Sequence, residues 1–79
     1  MHYVYILESE HSTKHWYVGV TSDLKERLAE HNAGDSIHTS KFKPWHIKNY
    51  IAFHDRQKAE AFELYLKSNS GRAFTKKHF

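Results

Sequence analysis

Apolar positions crowd the start of the chain and then change their period twice. Residues 2–7, HYVYIL, are β-branched and aromatic without polar interruption, as in a strand covered on both faces. A polar stretch, ESEHSTK, occupies 8–14, and HWYVGV at 15–20 resumes the strand character. Two such runs around a short polar loop predict a hairpin, although the loop has no Asn-Gly signature. A loop centred near His11 sets Tyr5 opposite Tyr17. Alternation along the strands puts Val4, Ile6, Trp16, Val18 and Val20 on one face and Tyr3, Tyr5, Leu7, Tyr17 and Gly19 on the other. The tyrosines share a side.

Beyond Val20 the period becomes helical. Thr21 and Ser22 are N-cap candidates, Asp23 suits the positive end of a helix, and LKERLAEHN runs to a stop at Gly34. The polar and basic connection DSIHTSKFKP follows, ending at the only proline. In WHIKNYIAF, residues 45–53, Trp45, Ile47, Ile51 and Phe53 recur with period two and predict a third strand on one apolar face. Asp55 caps RQKAEAFELYLKS, where Ala59, Phe62 and Leu66 keep helical spacing. The tail NSGRAFTKKHF breaks at Gly71 and forms a last short helix. The order β-β-α-β-α-α predicts an α+β fold, a small three-stranded antiparallel sheet flanked by helices. No repeat, linker or low-complexity segment divides the chain, so residues 1–79 are expected to form a single domain.

Composition narrows the picture. Aromatic residues make up 15% of the chain, and each ring buries roughly 150–250 Å², enough for a small core without staples. Cysteine is absent, which removes disulfides and thiolate metal sites. No segment approaches the roughly 20 apolar residues of a membrane span, and the N-terminus lacks the features of a signal peptide, so a cytoplasmic location is expected. Twelve Lys and Arg against nine Asp and Glu leave a net charge of +3, with eight histidines besides. The excess leans toward a polyanionic partner.

Some polar residues stand where leucines belong. Leu24, Arg27, Leu28 and His31 share one side of the first helix, which turns Arg27 and His31 toward the sheet. Snorkelling of the arginine, with the histidine at the helix dipole, explains this blandly. On the second helix Glu63 borders the stripe of Ala59, Phe62 and Leu66. A carboxylate there needs a cation, a metal or donors. An ion pair with Arg27 or Lys67 satisfies it; so does one site shared with two tyrosines, the arginine and the histidine. The second reading has a chemical logic. Phosphodiester hydrolysis needs a deprotonated water, a counter-charge for the phosphorane and help for the leaving oxygen. One glutamate suffices for a Mg²⁺ ion that keeps most of its waters, arginine's fork suits phosphate, and a phenol of lowered pKa serves proton transfer.

Tyr3-Val4-Tyr5, then Tyr17-Val18-Gly19, then Arg27 and His31 four apart, then Glu63 in FELYLKSNSGRAF together resemble the GIY-YIG nuclease superfamily. The likeness is to its small single-domain members, akin to the N-terminal domain of the C component of excinuclease ABC. The tripeptides are weak signals singly; the ordered spacing of five positions is strong. The resemblance implies a metal-dependent DNA endonuclease that hydrolyses phosphodiester bonds, nicking one strand per encounter, in DNA repair or recombination. It implies Tyr5, Tyr17, Arg27, His31 and Glu63 as catalytic residues, with Tyr17 favoured slightly over Tyr5 for proton removal. Arg27 and His31 would bind the scissile phosphate, Glu63 would hold Mg²⁺, with Mn²⁺ as a substitute, and Gly19 would leave room for substrate. Asn69 matches a polar residue near the site in some members. Two departures stand out: Tyr-Val-Tyr replaces Gly-Ile-Tyr, and Val20 stands where some repair nucleases carry a lysine. Arg27, or else Lys41 or Lys43, is then a candidate for the missing positive charge. The alternative function is a non-catalytic nucleic-acid-binding module on the same fold.

Three other signals are weaker. His11 and His15 lack a third ligand for zinc. Lys41-Phe42-Lys43 beside Trp45 suits phosphate contact and base stacking, though Trp45 reads better as core. Lys76, Lys77 and His78 read as a basic, solubilising end.

Overall fold

The computed structural model describes residues Met1–Phe79. The strands are β1 (His2–Ser9), β2 (Ser12–Thr21) and β3 (Trp45–Phe53), and the helices are α1 (Leu24–Ala33), α2 (Arg56–Lys67) and α3 (Asn69–His78). A three-residue 3-10 turn, Ser40–Phe42, interrupts the connection before β3. The sheet is antiparallel with the order β2-β1-β3. The strand with the most continuous apolar run therefore lies in the centre, where both its faces are covered.

Those faces are closed by different helices. Val4 and Ile6 pack with Ala59 and Leu66, and Val18, Val20, Phe53, Phe62, Phe74 and Phe79 extend that cluster. Tyr5, Leu7 and Trp45 form the opposite one, with Tyr17, Leu24, Leu28, Phe42 and Ile47 around them. Helices thus cover both sides of the sheet, α2 and α3 on one and α1 on the other.

Local departures from the sequence pattern have identifiable causes. Tyr5 pairs with Gly19 and Leu7 with Tyr17, so the two tyrosines are diagonal neighbours rather than directly opposite. A register shift between Glu8 and Ser9, which brings Ser9 opposite Ser12, absorbs the extra residues of the hairpin. The polar stretch is mostly strand, and only Glu10 and His11 make the turn. On β3 the pairing shifts between Ile6 and Leu7, from Asn49 to Ile47, leaving Lys48 as an extra residue. The bulge reverses the alternation. Ile47 faces the Leu7 side, whereas Ile51, opposite Val4, and Phe53, opposite His2, face the other. The single apolar face expected for β3 is thereby divided between the two cores.

Helix ends follow side-chain chemistry. Asp23, rather than Thr21 or Ser22, caps α1 by accepting from the Glu26 N–H, and Asp55 caps α2 by accepting from Gln57 and Lys58. Gly34 ends α1 at φ +82°, a left-handed conformation that favours glycine. Gly71 does not break the tail. It is buried inside α3, where a Cβ would overlap the backbone of Tyr65 and Leu66, so its bareness lets α3 dock on the end of α2.

Candidate active site

Central β1 delivers Tyr5 to the middle of the α1 face, where it is 2% exposed. Directly across on β2 stands Gly19, and a Cβ there would overlap the Tyr5 phenol. The glycine thus accommodates the ring of its cross-strand neighbour. Leu24 and Leu28 seat α1 against Tyr5 and Leu7, and the helical period then turns Arg27 and His31 toward the same phenol.

A hydrogen-bonded chain results. Arg27 Nε donates to the Tyr5 hydroxyl at 3.3 Å, that hydroxyl lies 3.0 Å from His31 Nε2, and His31 Nδ1 lies 2.8 Å from Thr39 Oγ1. Arginine only donates, which leaves the phenol proton for His31 Nε2 and places the imidazole proton on Nδ1, toward Thr39. Burial, and then the nearby Arg27 charge, hold His31 below its ordinary pKa, with Glu30 opposing, so the ring is neutral at pH 7. Burial also pushes the Tyr5 phenol upward, against the hydrogen bond and charge of Arg27. Arg27 is held above its ordinary value by its hydrogen bonds to Tyr5 and to Glu30, the latter at 3.0 Å. His31 is 1% exposed with both ring nitrogens engaged, so it has no free nitrogen for a phosphate.

Tyr17 completes the aromatic group, its ring centred 4.9 Å from His31 and 6.4 Å from Tyr5. Glu63 joins from α2. Its charge contributes to raising the Tyr5 phenol, and its carboxylate pairs with Lys67 Nζ at 2.9 Å. That ammonium in turn lies 5.9 Å from the centre of the Tyr17 ring. Of the two ion pairs open to Glu63, the structure makes the one with Lys67. Arg27 pairs instead with Glu30.

Tyr5, Tyr17, Arg27 and His31 meet, and Glu63 is linked to them through Lys67, yet Tyr17 opens on one recess and Arg27 and His31 on another. Tyr17 lines a groove of about 850 Å³ with Trp16, Lys14, Lys67, Arg72 and Lys76 among its walls. Arg27 and His31 border a smaller hollow of about 410 Å³ with Glu30 and Asp35. Lys41 and Lys43 are exposed at the 3-10 turn and its end, and Asn69 is exposed at the start of α3; none lines either recess. Trp45 is core, with its indole N–H donating to the Thr39 carbonyl at 2.9 Å. His11 is exposed, and His15 stacks on Phe42 at 3.9 Å between ring centres.

Sequence reasoning missed Thr39, which nothing in its polar connection distinguishes. It named Lys67 as a partner for Glu63 and Lys76 as a solubilising end, but missed Lys14 and Arg72 and the groove that gathers all four. Lys67 had a signal in its spacing of four from Glu63, and Arg72 and Lys76 repeat that spacing on α3.

No group of three or more His, Cys, Asp or Glu side chains is gathered as a metal cage. Glu63 offers a single carboxylate, with a side chain 15% exposed and Lys67 as its present counter-charge. That donor fits a hard, largely hydrated cation of the magnesium kind, which binds through one or two carboxylates and substrate phosphate, and does not fit zinc.

The family model described as the GIY-YIG catalytic domain matches residues 1–77. The chain belongs to the GIY-YIG family. A UPF0213 protein of Halobacterium salinarum is 35% identical over 71 residues, covering 89% of this chain and 90% of the relative. One from Streptococcus pyogenes is 35% identical over 72 residues, covering 90% of this chain and 76% of its own length. These names state no activity. The solution NMR structure of the UPF0213 protein BH0048 from Bacillus halodurans matches with a TM-score of 0.57 and 32% identity, covering 95% of this chain and 79% of that one. The GIY-YIG fold expected from the sequence, with its order β-β-α-β-α-α, is therefore the fold present, and the family is of nuclease type. No helix is long and apolar enough to cross a membrane.

Proposed function

We propose that this GIY-YIG protein is a magnesium-dependent endonuclease that hydrolyses phosphodiester bonds in DNA, one strand per encounter, with repair or recombination as its setting. The carrying observation is geometric: Arg27 and His31 both bond the buried Tyr5 hydroxyl, the Tyr17 ring lies against His31, and Lys67, paired with Glu63, lies 5.9 Å from the centre of that ring. Each member is then assigned a task. Tyr17 borders the groove while Tyr5 is buried and keeps its proton, which supports Tyr17 as the phenol that takes a proton from the attacking water. Arg27 uses one N–H on Tyr5 and one nitrogen on Glu30; its remaining donors serve the phosphate. His31 acts as a positioning residue, locking the Tyr5 hydroxyl that locks Arg27. Glu63 would hold the Mg²⁺ ion, with Mn²⁺ as a substitute, and when bound the ion supplies charge neutralisation at the phosphate.

The test is incubation of the purified protein with labelled single-stranded, duplex and branched DNA, in Mg²⁺ or EDTA, beside Glu63→Gln. Metal-dependent products that disappear in the variant are expected. One observation favours the non-catalytic nucleic-acid-binding module instead: the Glu63 carboxylate already has an internal counter-charge in Lys67. Binding without products under every condition would establish that module and overturn the enzyme.

A further inference from the structure

Charge is distributed unevenly around the reactive cluster. On the α1 side, Arg27 stands among Asp23, Glu26, Glu30 and Asp35. The groove beside Tyr17 carries the opposite balance: Lys14, Lys67, Arg72 and Lys76 line it, and no carboxylate does. Lys67 is tied to Glu63, whereas the other three make no ion pair. Arg72 and Lys76 are four apart on α3, a like-charge spacing that destabilises a helix slightly. Unpaired cations lining one recess repel each other until an anion enters.

The walls narrow the kind of anion. Trp16 and Tyr17 alternate in face on edge strand β2, and both border the groove with these cations, Trp16 from the α3 side and Tyr17 from the strand's other face; Lys48, outside the groove, lies 4.9 Å from the centre of the Trp16 ring. A basic groove with aromatic walls matches the binding of single-stranded nucleic acid, in which phosphates follow the cations and exposed bases meet the rings. A duplex keeps its base faces stacked inside, out of reach of rings in a recess.

We propose that the groove between β2 and α3 is a track for one unpaired nucleic-acid strand. Phosphates lie on Lys14, Arg72 and Lys76, bases face Trp16 and Tyr17, and the strand leads to Lys67 and Glu63. The inference rests on the nuclease reading only for what happens at the inner end; binding along the track needs no cleavage.

Fluorescence anisotropy with the whole chain in EDTA tests it, using labelled oligonucleotides of about 12 residues, within the roughly 4–16 nucleotides such grooves accommodate. The probes are oligo(dT), oligo(rU) and a DNA duplex of equal length. Preference for a single strand is expected, and the DNA and RNA arms identify which backbone is taken; either supports the track. The double variant Arg72→Ala/Lys76→Ala should weaken binding about tenfold and flatten the slope of log affinity against log salt by about 1.4, at about 0.7 per phosphate contact. Lys25→Ala/Lys58→Ala removes the same charge from exposed positions outside the groove and should change affinity less than about twofold. Equal losses in the two double variants, a larger loss in Lys41→Ala/Lys43→Ala, or duplex binding as tight as single-strand binding would overturn the track.

Arg72 and Lys76 are exposed, so folding should persist and circular dichroism checks it. Amide shift mapping on the unaltered protein is a second readout. Shifts at Lys14–Val18 and Arg72–Lys76 support the track, and shifts confined to α1 refute it. Loss of the track with metal-dependent cleavage intact leaves the nuclease standing. Groove binding without cleavage keeps the track and removes the nuclease.

Discussion

The two faces of the sheet are built from the same alternating strand and closed by different forces. On the α2 and α3 side, Val4, Ile6, Ala59 and Leu66 meet phenylalanine rings, with Phe53 and Phe62 centred 5.7 Å apart. Contacts there are non-directional, and shape and area decide them. The α1 side is just as buried but runs on hydrogen bonds: Arg27 to Tyr5, Tyr5 to His31, His31 to Thr39, and Trp45 to the Thr39 carbonyl. Such a network is stable only when complete, because each orphaned polar group in a dry interior is costly. One face supplies stability that tolerates repacking; the other fixes polar atoms in defined positions.

Substitutions on each face should separate these roles. Ile6→Ala opens the aliphatic face and should cost about 2–5 kcal/mol in urea unfolding, while the remaining folded fraction keeps its cleavage rate. Gly19→Ala strikes the other face, where the new methyl overlaps the Tyr5 phenol; it should cost about 1–3 kcal/mol and depress activity beyond the loss of folded protein. Equal specific activity in both would dissolve the distinction. Tyr5→Phe conserves shape but leaves His31 Nε2 without its donor, a loss of about 1–3 kcal/mol measurable by thermal unfolding.

The pH dependence sharpens the contrast, since a buried neutral histidine sits only on the α1 face. His31 has a lowered folded pKa, so below about pH 6.5 the unfolded chain takes up a proton that the folded chain resists. Its stabilisation is complete above that pH and is lost as pH falls through the folded value. The slope is at most about 1.4 kcal/mol per pH unit, and the difference between the parent and His31→Gln profiles should isolate it. The smallest effect concerns Lys67, whose side chain is 45% exposed. Lys67→Met should tighten Mn²⁺ binding in titration calorimetry by no more than about fivefold, the range of a solvent-screened ion pair. Unchanged affinity would remove Glu63 as the binding carboxylate.

Which features were legible in the chain follows from the range of the interactions behind them. The turn of Arg27 and His31 toward the sheet came from helical spacing, and the shared side of Tyr5 and Tyr17 from alternation. Alternation survives any even slip of register, so the face was right although the pairing moved from Tyr17 to Gly19 opposite Tyr5. On β3 the same rule failed, because the bulge at Lys48 inserts one residue and reverses every side chain beyond it. Gly71 looked like a breaker because a sequence does not show the backbone of Tyr65 pressed against it.

Local chemistry written in the sequence therefore determined the elements, the Asp55 cap and the Gly34 stop, the faces of β1 and α1, and the family. Tertiary structure alone decided which cation neutralises Glu63, that Thr39 completes the histidine's bonds, and that Lys14 on β2 faces Arg72 and Lys76 on α3 across one groove. The physical reason is distance along the chain. Periodicity and capping act over a few residues, whereas charge pairing and buried hydrogen bonds are settled between segments that only the folded packing brings together.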